Sequence, residues 1–289
     1  MGDYNPRSES RTILDRAMEH IQSVNYRVSL RWVFYRLLQD GIYKTKEDYR
    51  PWKELCADAR RRFFGEWRPW TLMDETRRII QRGGGFADVR HFKKYGAEFI
   101  ANQVTIEFNH FYQQKELIFV GFEARAMIEQ FEFYSHGIDL FPFGGDPSIP
   151  FKWDISKHIT TESGRYELPN KEVLVLYFGD RDDKGEEIFK GAEAIIREWC
   201  KTPIRFEWCG LIKDQVAQYH IPENPEKPGQ YQWEALSDPQ AKEIIEGALR
   251  SRLDLDLIKR CNQLGDKFTK KWRTKIKRFC EKELSGERR

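Results

Sequence analysis

The sequence predicts an α/β fold in which a helical N-terminal domain precedes a mainly parallel four-stranded sheet flanked by helices. Two observations lead to this prediction. Residues 117–122 and 173–178 are unbroken apolar runs rich in β-branched and aromatic side chains, which is typical of strands buried on both faces. Around these runs, strand patterns and helical patterns alternate as β-α-β-α-β-α-β between residues 116 and 211.

The N-terminal domain, predicted over residues 1–95, begins with three short helices. Apolar residues recur at helical spacing in residues 11–24 and 49–64, and a helix between them starts after Ser29 and ends at Gly41. The third helix has five cations outside its apolar face: Arg50, Lys53, Arg60, Arg61 and Arg62. This arrangement predicts a winged-helix-like, DNA-binding domain, and a solvated basic face is the alternative. Capping-box spacing predicts a further helix from residue 71 to residue 80.

One tyrosine of the second helix lies away from the apolar stripe of that helix. At about 100° per residue, Tyr35 points roughly 130° from the centre of the stripe, and Arg31, one turn earlier, points to the same side. A cation beside a phenol stabilises the phenolate, which is the property that a nucleophile needs. Tyr35 is therefore expected to face solvent. The alternative to a nucleophile is a surface tyrosine whose ring covers the neighbouring helix.

Three acidic residues follow the two apolar runs of the predicted sheet. Glu123 comes directly after the first run, and Asp180 and Asp182 come after Gly179, where the other run ends. The carboxyl ends of parallel strands are where open α/β sheets place ligands. Carboxylates this close repel one another unless a cation neutralises them, so the pattern predicts an oxygen-ligated Mg²⁺ site. An ordinary solvated turn is the alternative for the Asp-x-Asp pair alone.

This arrangement of acids resembles the Toprim fold of topoisomerases, primases and some nucleases, which has one Glu after its first strand and Asp-x-Asp after its third. The resemblance implies that Glu123, Asp180 and Asp182 bind Mg²⁺ or act at the scissile phosphate. The predicted Toprim domain spans residues 96–265. A basic amphipathic helix or tail over residues 266–289 follows, which either holds DNA or docks on the body of the protein.

The order of the two domains resembles the A subunit of type IIB topoisomerases (topoisomerase VI) and the related meiotic double-strand-break transesterase. Arg31, Phe34 and Tyr35 match the Arg-x-x-(Phe/Tyr)-Tyr element of that family, and Tyr35 falls on the position of its DNA-attacking tyrosine. The resemblance implies a homodimer, in which the tyrosine of one protomer works with the metal site of the other. The sequence contains no P-loop, so any ATP-dependent step requires a partner. An ATPase of the topoisomerase B type, a condensin-like complex and no partner at all remain the alternatives.

The composition sets limits on partners and location. Basic residues exceed acidic ones in residues 1–90 (18 against 13) and 266–289 (10 against 4), whereas the middle is acidic (21 against 29). Basic flanks around an acidic, metal-suited centre favour a polyanionic substrate such as DNA. Five cysteines without metal-ligand spacing predict a reducing cytoplasmic location, and no apolar stretch is long enough to predict a membrane span.

Three functions therefore remain open from the sequence. The first is Mg²⁺-dependent DNA cleavage by transesterification through Tyr35. The second is a Toprim nuclease that uses metal-bound water, as in plasmid or phage defence. The third is a DNA-binding module without catalysis. Within the proline-rich loop of residues 220–237, Trp233 and Glu234 either support or enter the site.

Overall fold

The computed structural model describes residues 4–73, 85–165, 171–224 and 227–285. The chain divides into two compact units, each formed from two separate stretches of sequence. The first unit comprises Met1–Arg77 and Lys115–Leu253, and the second comprises Arg78–Gln114 and Asp254–Arg289. The predicted boundaries at residues 95 and 265 fall instead inside two helices of the second unit, Val89–Asn102 and Leu255–Ser285.

The centre of the first unit is a four-stranded sheet in which every pairing is parallel. Its strands are β1 (Glu116–Phe122), β2 (Leu140–Pro142), β3 (Glu172–Phe178) and β4 (Ile204–Gly210), in the order β2-β1-β3-β4. All residues after the first in β1 and β3 are buried, as expected for the two central strands. The predicted parallel four-stranded sheet is confirmed.

Helices connect the strands and cover the sheet. In chain order they are α5 (Ile128–Tyr134), α6 (Ile149–Arg165), α7 (Asp183–Trp199), α8 (Lys213–Gln218) and α9 (Asp238–Arg250). Helix α6 packs against α7, and α5 packs against α9. Since crossovers between parallel strands are right-handed, these two pairs lie on opposite faces of the sheet. Stacked rings of Phe122 and Phe131, with centroids 4.2 Å apart, join β1 to α5.

The N-terminal part of the first unit contains three helices, α1 (Ser8–Gln22), α2 (Leu30–Gln39) and α3 (Tyr49–Arg61). The predicted cap is confirmed, because the Ser29 hydroxyl accepts a hydrogen bond from the Trp32 backbone N–H at 3.1 Å. Residues 4–73 contain no strand, so the winged-helix assignment of this helical domain stays a prediction. The helix predicted over residues 71–80 lies almost entirely outside the described residues.

The second unit pairs two helices that are distant in sequence, α4 (Val89–Asn102) and α10 (Leu255–Ser285). Helix α10 also binds the segment that follows α4. Arg273 Nε donates to the Val104 carbonyl oxygen at 2.9 Å, and the hydroxyl of Thr269 accepts from the Ile106 N–H at 2.9 Å. A Cβ on Gly265 would lie 2.7 Å from the Ile106 carbonyl oxygen, so glycine is required for this close approach. The predicted basic segment of residues 266–289 thus corresponds to the C-terminal half of α10 as far as Ser285, and residues 286–289 lie outside the described residues.

Two general features bear on the sequence predictions. In the described part of the chain, no helix is long and apolar enough to cross a membrane. The five cysteines, all within the described ranges, are free thiols. The cytoplasmic location stays a prediction.

Candidate functional site

The three predicted acidic residues lie at one edge of the sheet. Strands β1 and β3 are adjacent and in register, with Phe122 opposite Phe178. The Glu123 backbone N–H still donates to the Phe178 carbonyl oxygen at 2.9 Å, so Glu123 lies beside the end of β3. Asp180 follows that end by two residues, and Asp182 caps α7. The parallel register thus brings together residues that are far apart in sequence.

Backbone amides hold the three carboxyl groups in place. Glu123 Oε2 accepts from the Asp180 N–H at 3.2 Å, and Asp182 Oδ1 accepts from the Gly185 N–H at 2.7 Å. Asp180 Oδ1 accepts from the Trp233 N–H at 2.8 Å. The Asp180 side chain therefore connects the end of β3 to a segment some fifty residues later in the chain.

Two glycines make room for the Glu123 carboxyl group. A Cβ on Gly185 would lie 2.4 Å from the Asp180 carbonyl oxygen and 3.2 Å from Glu123 Oε2. A Cβ on Gly179 would lie 2.7 Å from the Tyr177 ring and 3.1 Å from Glu123 Oε2. Both glycines of the Gly-Asp-x-Asp-x-x-Gly sequence are thus required by close approach, and a larger residue at either position would displace Glu123.

The electrostatics of this edge favour a bound cation. The pKa of Glu123 is raised to about 7, and burial is the main cause. The hydrogen bond from the Asp180 N–H lowers this pKa, whereas the negative charges of Asp182 and Glu234 raise it. Burial also raises the pKa of Asp180 well above its usual range, with Glu234 and Glu123 as the next causes. A carboxyl group whose pKa is raised by burial and like charges is one that a cation would return to the ionised state.

The donor atoms of Glu123, Asp180 and Asp182 suit a magnesium ion. All three side chains offer carboxylate oxygen, the ligand type that Mg²⁺ prefers. The Tyr177 hydroxyl is buried beside Glu123, and burial and the charge of Glu123 raise the pKa of this phenol. Among the described residues, however, no three acidic, histidine or cysteine side chains form a ready-made metal-binding group. The residues therefore fit Mg²⁺ in chemistry and charge.

The raised pKa of Glu123 predicts how stability depends on pH. A carboxyl group with a raised folded-state pKa stabilises the fold fully below its unfolded pKa of ~4.3, and this contribution disappears as the pH rises through the folded value. With a chelator present, parent protein and Glu123→Gln should therefore differ in unfolding free energy by an amount that changes on the order of 2 kcal/mol between pH ~4.5 and pH ~8. Urea unfolding across this range measures it.

The expected direction is that the parent loses stability relative to Glu123→Gln as the pH rises. Added Mg²⁺ should reduce the difference, because an ion that binds ionised carboxylates favours the folded state at high pH. Parallel stability curves for the two proteins, with or without Mg²⁺, would contradict the assignment.

The structure corrects the prediction that Tyr35 faces solvent. Only 8% of Tyr35 is exposed, and all residues from Trp32 to Leu37 in α2 are buried. The Tyr35 hydroxyl donates to Gln232 Oε1, and the Arg36 guanidinium donates to the Glu234 carbonyl oxygen. The prediction was wrong because residues 232–235 pack on the face of α2 opposite its apolar stripe, a contact that helical periodicity cannot reveal.

Arg31 acts on the pKa of Tyr35 in the expected direction, but other effects outweigh it. Burial and the charge of Glu234 raise the pKa of the Tyr35 phenol, and the nearby Arg31 guanidinium lowers it by less than these two effects raise it. Arg31 itself remains exposed to solvent. In this arrangement Tyr35 is a protonated phenol at neutral pH, so any attack by it requires a further positive charge or a base.

A short segment joins Tyr35 to the acidic residues within one chain. Tyr231 and Arg181 exchange backbone hydrogen bonds of 2.8 and 3.1 Å, which hold the segment beside the Asp-x-Asp sequence. Gln232 then binds the Tyr35 hydroxyl, and the next residue, Trp233, binds Asp180 through its backbone N–H. The family resemblance implied a tyrosine acting on the partner's metal site, whereas here Tyr35 lies at the site of its own chain.

Trp233 and Glu234 have different positions in the site. The Trp233 ring is buried near Phe131 and Phe178, and its indole N–H donates to Gln130 Oε1 at 3.1 Å, so it supports the sheet edge. Glu234 is 5% exposed, and its charge acts on Asp180, Glu123 and Tyr35. Glu234 is thus a fourth carboxylate of the site.

Sequence reasoning missed Gln232 as a site residue. A single glutamine in a proline-rich loop has no local signal, since only its contact with Tyr35 distinguishes it. Tyr35 and Gln232 also line a pocket of about 140 Å³ together with Leu38, Pro222 and Ala235. The pocket leaves room for a ligand group on this side of α2.

The chain was compared with protein-family models, with curated proteins and with solved structures. None of the three comparisons finds a match. The resemblance to Toprim proteins and to topoisomerase VI therefore depends on the motifs and their geometry alone.

The predicted DNA-binding cations of α3 lie on its surface. Arg50, Lys53, Arg61 and Arg62 are exposed, and Arg60 is partly buried. Two of them form ion pairs within the helix, Arg50 with Glu54 at 3.3 Å and Arg61 with Asp58 at 3.4 Å. Exposed pairs of this kind are weak and open readily, so the cations are accessible to a phosphate backbone.

Proposed function

We propose that this protein cleaves DNA strands at the carboxyl edge of its sheet, in a Mg²⁺-dependent reaction in which Tyr35 attacks the phosphodiester. The observation that supports this most is the connection of Tyr35 to Asp180 through the consecutive residues Gln232 and Trp233. It brings a potential nucleophile, the Arg31 cation and four carboxylates into one site.

In the proposed reaction the phenolic oxygen forms a bond to phosphorus, and the bond from phosphorus to the 3′ oxygen breaks. The phenol loses its proton, the departing 3′ oxygen gains one, and a 5′-phosphotyrosyl link remains. Arg31 lies where it can pair with a phosphate oxygen and with the developing phenolate. Gln232 orients the hydroxyl, because its side-chain oxygen accepts the phenolic hydrogen bond.

Glu123, Asp180 and Asp182 would hold the Mg²⁺, which supplies positive charge next to the reacting phosphate. The three side chains would bind and orient the ion, and their hydrogen bonds to backbone amides hold them at the edge of the sheet. Glu234 adds a negative charge that strengthens attraction for a divalent cation. Gly179 and Gly185 keep the approach to Glu123 open.

A second candidate is a nuclease that uses metal-bound water and leaves free ends. The burial of Tyr35 and its raised pKa favour this alternative, because a protonated phenol is a poor nucleophile. Both candidates use the same acidic residues. A binding module without catalysis is the third candidate, and it predicts no cleavage with any divalent ion.

One experiment separates these candidates. The protein is incubated with supercoiled and linear DNA and Mg²⁺, the reaction is stopped with denaturant, and protein bound covalently to 5′ ends is assayed. Transesterification predicts cleaved DNA with an adduct at Tyr35 that peptide mass spectrometry identifies. Cleaved DNA with free 5′ phosphates would favour the water-using nuclease, and intact DNA with every metal would favour the binding module.

We also propose that the protein acts as a homodimer, since cutting both strands of a duplex requires two sites related by a two-fold axis. An ATPase subunit of the topoisomerase B type is the proposed partner for any ATP-dependent step. Sedimentation with and without duplex DNA should give the mass of a dimer. A strictly monomeric protein in both conditions would contradict the dimer and favour nicking of single strands.

A further inference from the structure

The C-terminal half of α10 has a stripe of positive charge along one side, between residues 267 and 282. Five cations recur at intervals of three or four residues, so they lie along one side of the helix. They are Lys267, Lys271, Lys275, Arg278 and Lys282. All five are exposed, and none forms an ion pair with any residue that the structure describes.

The opposite side of α10 is the one that packs within its unit. Gly265, Thr269 and Arg273 contact the segment after α4, and each lies well over 90° around the helix from the centre of the stripe. The stripe therefore lies on the side of α10 opposite the packing contacts. It is the face that this unit leaves to solvent.

Four surface cations on helices α7 and α9 form ion pairs with acidic residues of the same helix. Lys184 pairs with Glu187, Lys190 with Glu186, Arg197 with Glu193 and Arg250 with Glu246, all three or four residues apart. On the stripe, by contrast, the neighbours at these spacings are cations or uncharged residues, with one exception. Only Glu281, three residues after Arg278, is acidic, and the two form no ion pair. Like charges at this spacing destabilise a helix, so the arrangement indicates an anionic partner.

The length and spacing of the stripe fit a polyphosphate backbone. Fifteen residues separate Lys267 from Lys282. That interval corresponds to about 22 Å of helix, the axial length of roughly six phosphates on one DNA strand. Trp272 and Phe279 lie next to the stripe, 43% and 64% exposed, and Lys275 stacks over the Trp272 ring at 5.0 Å. Two exposed rings are few for a membrane-bound helix, which needs a wide apolar face.

We infer that the α10 stripe, defined by these five cations, binds the phosphate backbone of DNA without regard to base sequence. The inference rests on the proposed function only in taking DNA as the polyanion. It places a DNA-binding surface in the second unit, separate from the cations of α3 and from the acidic residues. The stripe would hold the duplex by charge alone, since phosphate contacts give affinity and not sequence preference.

The test compares two variants that remove the same charge. The first replaces all five stripe residues with Gln. The matched control replaces four lysines and one arginine that are equally exposed in the first unit: Lys190, Arg197, Lys201, Lys213 and Lys242. Binding to a fluorescent duplex is measured in EDTA over a range of salt concentrations, with circular dichroism to verify that both proteins are folded.

The stripe variant should bind at least ~10-fold more weakly near 0.1 M salt, and the slope of log K against log salt should fall by about three to four. The control should lose much less. Equal losses in both variants, or an unchanged slope in the stripe variant, would overturn the inference. So would binding to vesicles of anionic lipid that depends on the stripe while DNA binding does not.

DNA binding measured in EDTA tests the α10 stripe independently of the proposed cleavage, because no divalent ion is free to support the reaction. If the parent never cleaves but the stripe variant loses binding, the stripe is supported and the proposed cleavage fails. If the parent cleaves and the stripe variant binds normally, the proposed cleavage stands and the stripe is overturned.

Discussion

Asp180→Asn is expected to reduce Mg²⁺-dependent DNA cleavage by at least ~10³-fold without loss of fold stability. The substitution removes a negative charge from the acidic residues but keeps a side-chain oxygen that can accept the Trp233 N–H. Since burial and the charges of Glu234 and Glu123 raise the pKa of Asp180, ionised Asp180 is unfavourable in the ion-free protein at neutral pH. The variant should therefore unfold at the same temperature as the parent or above it.

The neighbouring Asp183 provides a control for Asp180. Asp183→Asn changes an exposed carboxylate in the first turn of α7 and removes the same charge. It should cleave DNA at nearly the parental rate. Calorimetric titration with Mg²⁺ gives a readout apart from activity, since Asp180→Asn should lose binding heat and Asp183→Asn should keep it. Parental cleavage by Asp180→Asn would remove Asp180 from the proposed site.

Tyr35→Phe is expected to abolish both cleavage and the covalent adduct, while DNA binding in EDTA is unchanged. Phe removes one oxygen and the hydrogen bond to Gln232. Because this hydrogen bond is largely buried, we expect a stability loss of about 1 kcal/mol, more than a solvent-facing tyrosine would show. Rates are measured on the same DNA with Mg²⁺, and stability is measured by urea unfolding.

A control variant at a second buried tyrosine distinguishes an effect on catalysis from an effect on stability. The Tyr134 hydroxyl donates to Asp238 Oδ2 at 2.6 Å, and in the described structure it forms no hydrogen bond with Glu123, Asp180 or Asp182. Tyr134→Phe should cost similar stability and leave cleavage near the parental rate. If Tyr35→Phe also cleaves at the parental rate and neither protein forms an adduct, water is the nucleophile and Tyr35 is a structural residue of α2.

The sequence determined those parts of the site that depend on local pattern. The apolar runs of β1 and β3 predicted buried parallel strands, and the parallel register alone then requires Glu123 and Asp180 to end at the same edge. Ser29 and Gly41 marked the limits of α2 because capping and left-handed turns involve only neighbouring residues. These interactions depend on residue types within a few positions, which is why a single sequence was sufficient.

Only the tertiary structure decided which surfaces of these elements are covered. Helical periodicity placed Tyr35 away from the apolar stripe, yet Gln232, nearly 200 residues later, covers it. The same segment brings Glu234 to the acidic residues, and α10 pairs with α4 across more than 150 residues. Such contacts depend on how distant segments share a surface, and a single polar residue there has no periodic pattern from which a sequence could predict it.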